Sequence, residues 1–118
     1  MGGAAYFAAW VRSFVFTQIV EVPIYLRGIP GNRWRAGAIA FGASALTHPI
    51  VWYVFPRLHF ASYLRMAVAA EAFAFLVEAV YLWCFGVRGP ARALGWSTLA
   101  NGASLGLSLL SRALFGVP

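Results

Sequence analysis

Between Arg65 and Phe85 the chain reads RMAVAAEAFAFLVEAVYLWCF, a stretch long and apolar enough to cross a bilayer that nevertheless carries two carboxylic acids, Glu71 and Glu78. Their spacing is close to two helical turns, so both acids project from one face, about 10 Å apart along the axis. Ala67, Ala74 and Tyr81 continue that face. Each ionisable group inside a membrane span costs at least about 2.5–3.5 kcal/mol on insertion scales. A chain that keeps two on one helix must offset them with polar partners elsewhere.

Composition agrees with a membrane setting. Of 118 residues, 62% are apolar and 10% charged, against roughly 45–50% and 25% in ordinary globular domains. A soluble domain of this size cannot bury so much apolar surface. The net charge of +6 comes from nine arginines spread over connections and span ends. With no basic stripe interleaved with exposed aromatics, they read as topology and headgroup contacts, with no nucleic-acid partner. The single cysteine, Cys84, has no mate for a redox motif and reads as a buried, inert thiol. The N-terminal stretch lacks a basic leader and a cleavage pattern, so it is expected to be retained.

Four hydrophobic segments are predicted as helices, at about 6–26, 34–55, 62–86 and 90–115, within one transmembrane domain spanning 1–118. The first connection, Arg27 to Arg33, and the third, Gly86 to Pro90, are rich in helix breakers, and Pro56 marks a tight turn between the second and third segments. Connections this short make sequential helices antiparallel neighbours. The fold class is therefore all-α: an integral membrane, up-down bundle of four transmembrane helices. Aromatics mark the two interfaces, with Tyr6, Trp10, Trp52, Tyr53 and Tyr63 at one level and Tyr25, Trp34 and Trp83 at the other. Arg27, Arg33, Arg35, Arg88 and Arg92 lie at the first and third connections, and Arg12, Arg57, Arg65 and Arg112 at the other end. The positive-inside rule favours both termini outside the cytoplasm of a bacterial inner membrane, while the margin of five arginines to four leaves a dual or reversed topology open.

The other helices supply the polar partners. The first carries Thr17, Gln18 and Glu21, the second Ser44, Thr47 and His48 before Pro49, and the fourth a stripe of Ser97, Asn101, Ser104, Ser108 and Ser111 at helical period. Pro23 and Pro49 each free a carbonyl one turn earlier. Counting about 1.5 Å per residue from the end bearing the first and third connections, Glu21 lies about 9 Å deep, Glu78 about 12 Å and Asn101 about 15 Å. By the same rise, His48 and Glu71 fall near about 20 Å. Two tiers result: Glu21, Glu78 and Asn101 below, His48 paired with Glu71 above, and Gln18 and Ser104 between them. Two close carboxyls in the lower tier disfavour double ionisation.

This pattern points to a proton- or cation-handling channel or transporter component. Glu71 and Glu78 would carry protons, His48 would exchange them at the upper tier, and Glu21 with Asn101 would gate the lower one. Gln18, Ser44, Tyr81 and Ser104 support the path. Gly102 and Gly106 form a close-packing face, within the bundle or toward a second copy. Besides the lipid bilayer, the expected partners are further copies of the chain or a larger membrane complex. The first alternative is a non-catalytic accessory or assembly subunit whose polar residues lock the helices in register. The second is an intramembrane metal-binding protein, with His48 and Glu71 as the weak candidate ligands. The di-metal Glu-x-x-His and the His-Glu-x-x-His motifs are missing, and no nucleophile elbow appears. An intramembrane hydrolase in which Glu71 and His48 activate water stays open, but nothing names a substrate; the balance of features favours a non-enzyme, and no catalytic residue or cofactor is assigned.

Overall fold

The computed structural model describes residues 2–116 and is all-helical, with no strand among them. Helix α1 spans Gly3–Gly28, α2 Arg33–Tyr53, α3 Tyr63–Phe85 and α4 Pro90–Phe115, with a single 3-10 turn at Phe55–Arg57. Each helix packs against two others: α1 against α2 and α4, and α3 against α2 and α4. The result is a closed four-helix bundle with principal extents of 43 × 28 × 25 Å.

The helix ends follow from local chemistry. After α1, Pro30 and Gly31 (φ +94°) break the helix, and Asn32 opens α2 by accepting from the backbone N–H of Trp34 at 2.8 Å and of Arg35 at 3.1 Å. Arg33 turns back over the end of α1 and donates to the carbonyls of Leu26 (2.8 Å) and Ile29. Those carbonyls have no helical donor of their own. In the same manner Arg35 donates to Phe85 O at 3.0 Å and so closes α3. Ser62 caps the start of α3 by accepting from Arg65 N at 3.2 Å. Pro90 occupies the first turn of α4, where its missing N–H costs nothing. Asn32→Ala is expected to cost about 1 kcal/mol through loss of the α2 cap, read as a lower midpoint of thermal unfolding in detergent.

The interior is built from small residues. Ala36, Ala40, Ala43, Ala70, Ala74, Ala79, Ala93 and Ala100 are buried together with Tyr25, Ile29, Leu82 and Val87. Small side chains let helix backbones approach closely. Two contacts are closer still. The Trp96 indole lies over Gly28, where a Cβ would come within 2.6 Å of the ring, and the Tyr81 hydroxyl abuts Gly42 where a Cβ would overlap it. Large apolar side chains face outward instead, among them Ile19, Leu64, Leu76, Trp83 and Leu114.

Three helical stretches, Gly3–Gly28, Arg33–Arg57 and Tyr63–Phe85, are long and apolar enough to cross a membrane. Helix α4 has the length, but its serines, Asn101 and two internal arginines lower its hydropathy. Two expectations from sequence need correction. Tyr25 is not an interfacial aromatic: it is fully buried, because it lies one turn beyond Glu21 on the inward face of α1. Cys84 is exposed, since it falls on the outward face of α3 two residues after the buried Leu82.

Candidate functional site: a carboxyl pair shared by four helices

Glu78 projects from α3 into the bundle interior and is 1% exposed. Its carboxyl collects one donor from each of the other three helices. The Tyr25 hydroxyl of α1 donates to Oε1 at 2.6 Å, the Thr47 hydroxyl of α2 to Oε2 at 2.6 Å, and the Asn101 amide of α4 to Oε1 at 3.2 Å. Asn101 is itself fixed, since its amide also donates to Ser97 O at 3.0 Å. Ser97 in turn donates to Phe75 O at 2.7 Å and so joins α4 to α3.

Glu21, also 1% exposed, is held from two sides. Ser44 of α2 donates to its Oε1 at 2.7 Å, and Ser104 of α4 donates to its Oε2 at 2.5 Å. Ser104 also lies 3.1 Å from the backbone carbonyl of Asn101, the residue whose amide donates to Glu78, so the partners of Glu21 and Glu78 merge into one network. Among the described residues no arginine takes part. The hydrogen bonds that arginine side chains make among the described residues go to backbone carbonyls at the helix ends and in the first connection. Glu21 and Glu78 are therefore satisfied, among the described residues, by neutral hydroxyl and amide donors alone.

Glu21, Glu78, Asn101, Ser44 and Ser104 thus come together. Gln18 lies one turn away on α1, donating to Phe41 O at 3.0 Å while its own Oε1 has no partner among the described residues. Tyr81 packs against Gly42 without entering the network. Glu71 is partly buried on α3.

His48 is placed elsewhere. Its Nε2 lies 3.4 Å from the hydroxyls of Ser13 and Thr17 on α1. Its ring sits among Phe14 (5.5 Å between centroids), Trp52 (6.1 Å) and Trp10 (6.4 Å). Its Nδ1 is buried without a partner among the described residues. His48 therefore belongs to an aromatic cluster of α1 and α2, which Tyr6 extends through its ring contact with Tyr53, and its polar partners are hydroxyls of α1. Among the described residues no three His, Cys, Asp or Glu side chains converge as metal ligands. Gly102 and Gly106 are exposed, and a Cβ on either would meet no other atom.

Three members of the network were not singled out as site residues from sequence: Tyr25, Thr47 and Ser97. For Tyr25 the available signal was its i+4 spacing from Glu21. For Ser97 it was the i−4 spacing from Asn101. No protein-family model matches the chain, and no curated protein and no solved structure matches it.

Proposed function

We propose that the chain is a membrane-embedded, antiparallel bundle of four spanning helices in which Glu21 and Glu78 hold and exchange a proton, as part of a proton- or cation-handling transport component. The observation that carries this reading is that two buried carboxyls share one hydrogen-bond network with no cationic partner among the described residues. If the network served only to lock the helices, amides and hydroxyls would suffice, at lower cost than acids in hydrocarbon. What a carboxyl adds is the capacity to bind and release a proton. Two carboxyls of one network that share one proton avoid the repulsion of a doubly ionised pair, and Tyr25 and Thr47 supply hydroxyls through which a proton could pass.

The antiparallel order is supported by the register of contacts. As α1 advances from Tyr6 to Gln18, its hydrogen-bond partner on α2 retreats from Trp52 to Phe41. Between α1 and α4, Glu21 meets Ser104 and Tyr25 meets Asn101. Membrane placement is supported by the inverted apolar distribution, with alanines inside and Phe, Leu and Trp outside. In that setting α4 spans as well, because its polar stripe is turned toward Glu21 and Glu78. The arginine excess at the first and third connections supports a bacterial inner membrane with both termini outside the cytoplasm. The open face at Gly102 and Gly106 supports contact with a second copy or a larger complex.

A second reading, that of an assembly subunit locked by the same network, is favoured by the near-complete exclusion of solvent from Glu21 and Glu78. Flux separates the two. Purified protein in liposomes, under an imposed pH gradient, is expected to pass protons, with flux lost in Glu21→Gln and Glu78→Gln although both remain folded and inserted. Flux in both variants equal to that of the unaltered protein would remove the carboxyl pair from the path. No flux above empty vesicles would rule out a self-contained pathway and favour the assembly role.

A further inference from the structure

The end of the bundle bearing the first and third connections carries an open cavity of about 440 Å³ lined by Arg27, Arg88, Arg92, Pro30, Val87 and Trp96. Three of the nine arginines meet there. They differ from Arg33 and Arg35, whose guanidiniums are spent on helix-end carbonyls. Arg27, Arg88 and Arg92 are exposed. The chain's three acids, Glu21, Glu71 and Glu78, all lie within helical spans and none lines this cavity. Helix α4 begins beside it without a side-chain cap, because Gly89 occupies the capping position. The first backbone N–H groups of α4 are therefore directed toward the same end and add to its positive potential.

A second depression, of about 270 Å³, continues from the first along α4. The two share Arg92 and Trp96, and beyond them the wall is Gly95 and Leu99. A cationic cradle that opens into an apolar trough matches a molecule with an anionic head and a hydrocarbon tail. We propose that this continuous surface binds one anionic phospholipid, its phosphate among Arg27, Arg88 and Arg92 and the start of an acyl chain along Gly95 and Leu99. The Trp96 indole, fixed over Gly28, forms the wall between head and tail. The trough distinguishes a lipid from free phosphate, which would use the cradle alone. This inference rests on the membrane reading of the chain. A protein that requires detergent for solubility but retains no anionic lipid would sink the cradle and leave that reading standing.

Native mass spectrometry of the protein in non-ionic detergent, with phosphatidylglycerol or phosphatidylcholine added, tests it. One phosphatidylglycerol per chain is expected to be retained in strong preference to phosphatidylcholine. In Arg27→Gln/Arg88→Gln, retention should fall roughly thirtyfold, the combined worth of two arginines near a headgroup. Arg57→Gln/Arg112→Gln, which alters charges outside the cavity, should retain it in full. Gly95→Leu fills the trough, where a Cβ at Gly95 meets nothing in the bundle, and should also lose the lipid. Circular dichroism verifies that each variant is folded. Equal retention of the two lipids, undiminished retention in the cradle variant, or complete displacement by an equal concentration of inorganic phosphate would each overturn the assignment.

Discussion

Glu78→Ala is expected to abolish the folded bundle or lower its stability by about 3–5 kcal/mol, whereas Glu78→Gln folds. The alanine removes the acceptor for three buried donors on three different helices: Tyr25, Thr47 and Asn101. A buried donor left without a partner costs about 1–3 kcal/mol, and Tyr25 and Asn101 retain only partial substitutes in each other and in Ser97. Deleting a central member of a buried network belongs to the short list of changes that exceed the usual mutational range. Glutamine keeps the volume. Its carbonyl can face Tyr25 and Asn101 while its amide faces Thr47, whose hydroxyl rotates to accept. Thermal unfolding in detergent, followed by circular dichroism, should show a drop on the order of 10 °C or more for alanine, and a much smaller one for glutamine. Equal, small drops for both would mean that the donors repair their own bonds and that Glu78 does not organise the helices.

Gly28→Ala is the second large effect, expected at about 1–3 kcal/mol. The added methyl would sit 2.6 Å from the Trp96 ring, which is a rigid group unlike the end of a flexible side chain. Either α1 and α4 separate or the indole leaves its position. Trp96→Leu in the Gly28→Ala background should recover part of the loss, with a coupling energy of about 0.5–3 kcal/mol for residues in contact. The controls are Gly102→Ala and Gly106→Ala, where the new methyl meets nothing within the chain. Each should leave the bundle unchanged or gain about 0.5–1 kcal/mol from helix propensity. If Gly28→Ala behaves like these controls, the α1–α4 approach at Trp96 is looser than described.

How much of this was legible in the sequence depends on which coordinate of a helix is asked for. Depth along an axis follows from the rise per residue, and Glu21, Glu78 and Asn101, assigned to one tier on that basis, share one network. Rotation about the axis is a different matter. Thr47 and His48 are adjacent in sequence but about 100° apart around α2. One step in that rotation gives Thr47 to Glu78 and His48 to Ser13 and Thr17. The hydrophobic pattern could not settle it, because apolar side chains cover the outside of these helices as well as parts of the inside. In a soluble helix the polar face identifies the outside. Here that contrast is lost, and residue type drew attention to His48 while the neighbouring threonine reached the carboxyl.

Tyr25 illustrates a related difficulty. A tyrosine near a span end ordinarily sits at the membrane–water interface, and its position in sequence fits that role. Its ring instead fills the bundle beneath the first connection, because the small residues on the facing helices leave room for it. Its hydroxyl then extends the polar network to within one turn of the helix end. The four-helix pattern and the connections were readable from breakers and apolar length. The role of Tyr25 required knowing which side of α1 faces inward.

Infrared spectroscopy of the reconstituted protein tests the central claim most directly, by asking whether Glu21 and Glu78 share an exchangeable proton. The expected result is a carboxylic-acid C=O band near neutral pH that moves on transfer to heavy water and is lost or displaced in both Glu21→Gln and Glu78→Gln. Dependence on both residues would identify the proton as belonging to the pair. No such band, or a band that neither substitution alters, would contradict a proton held between Glu21 and Glu78.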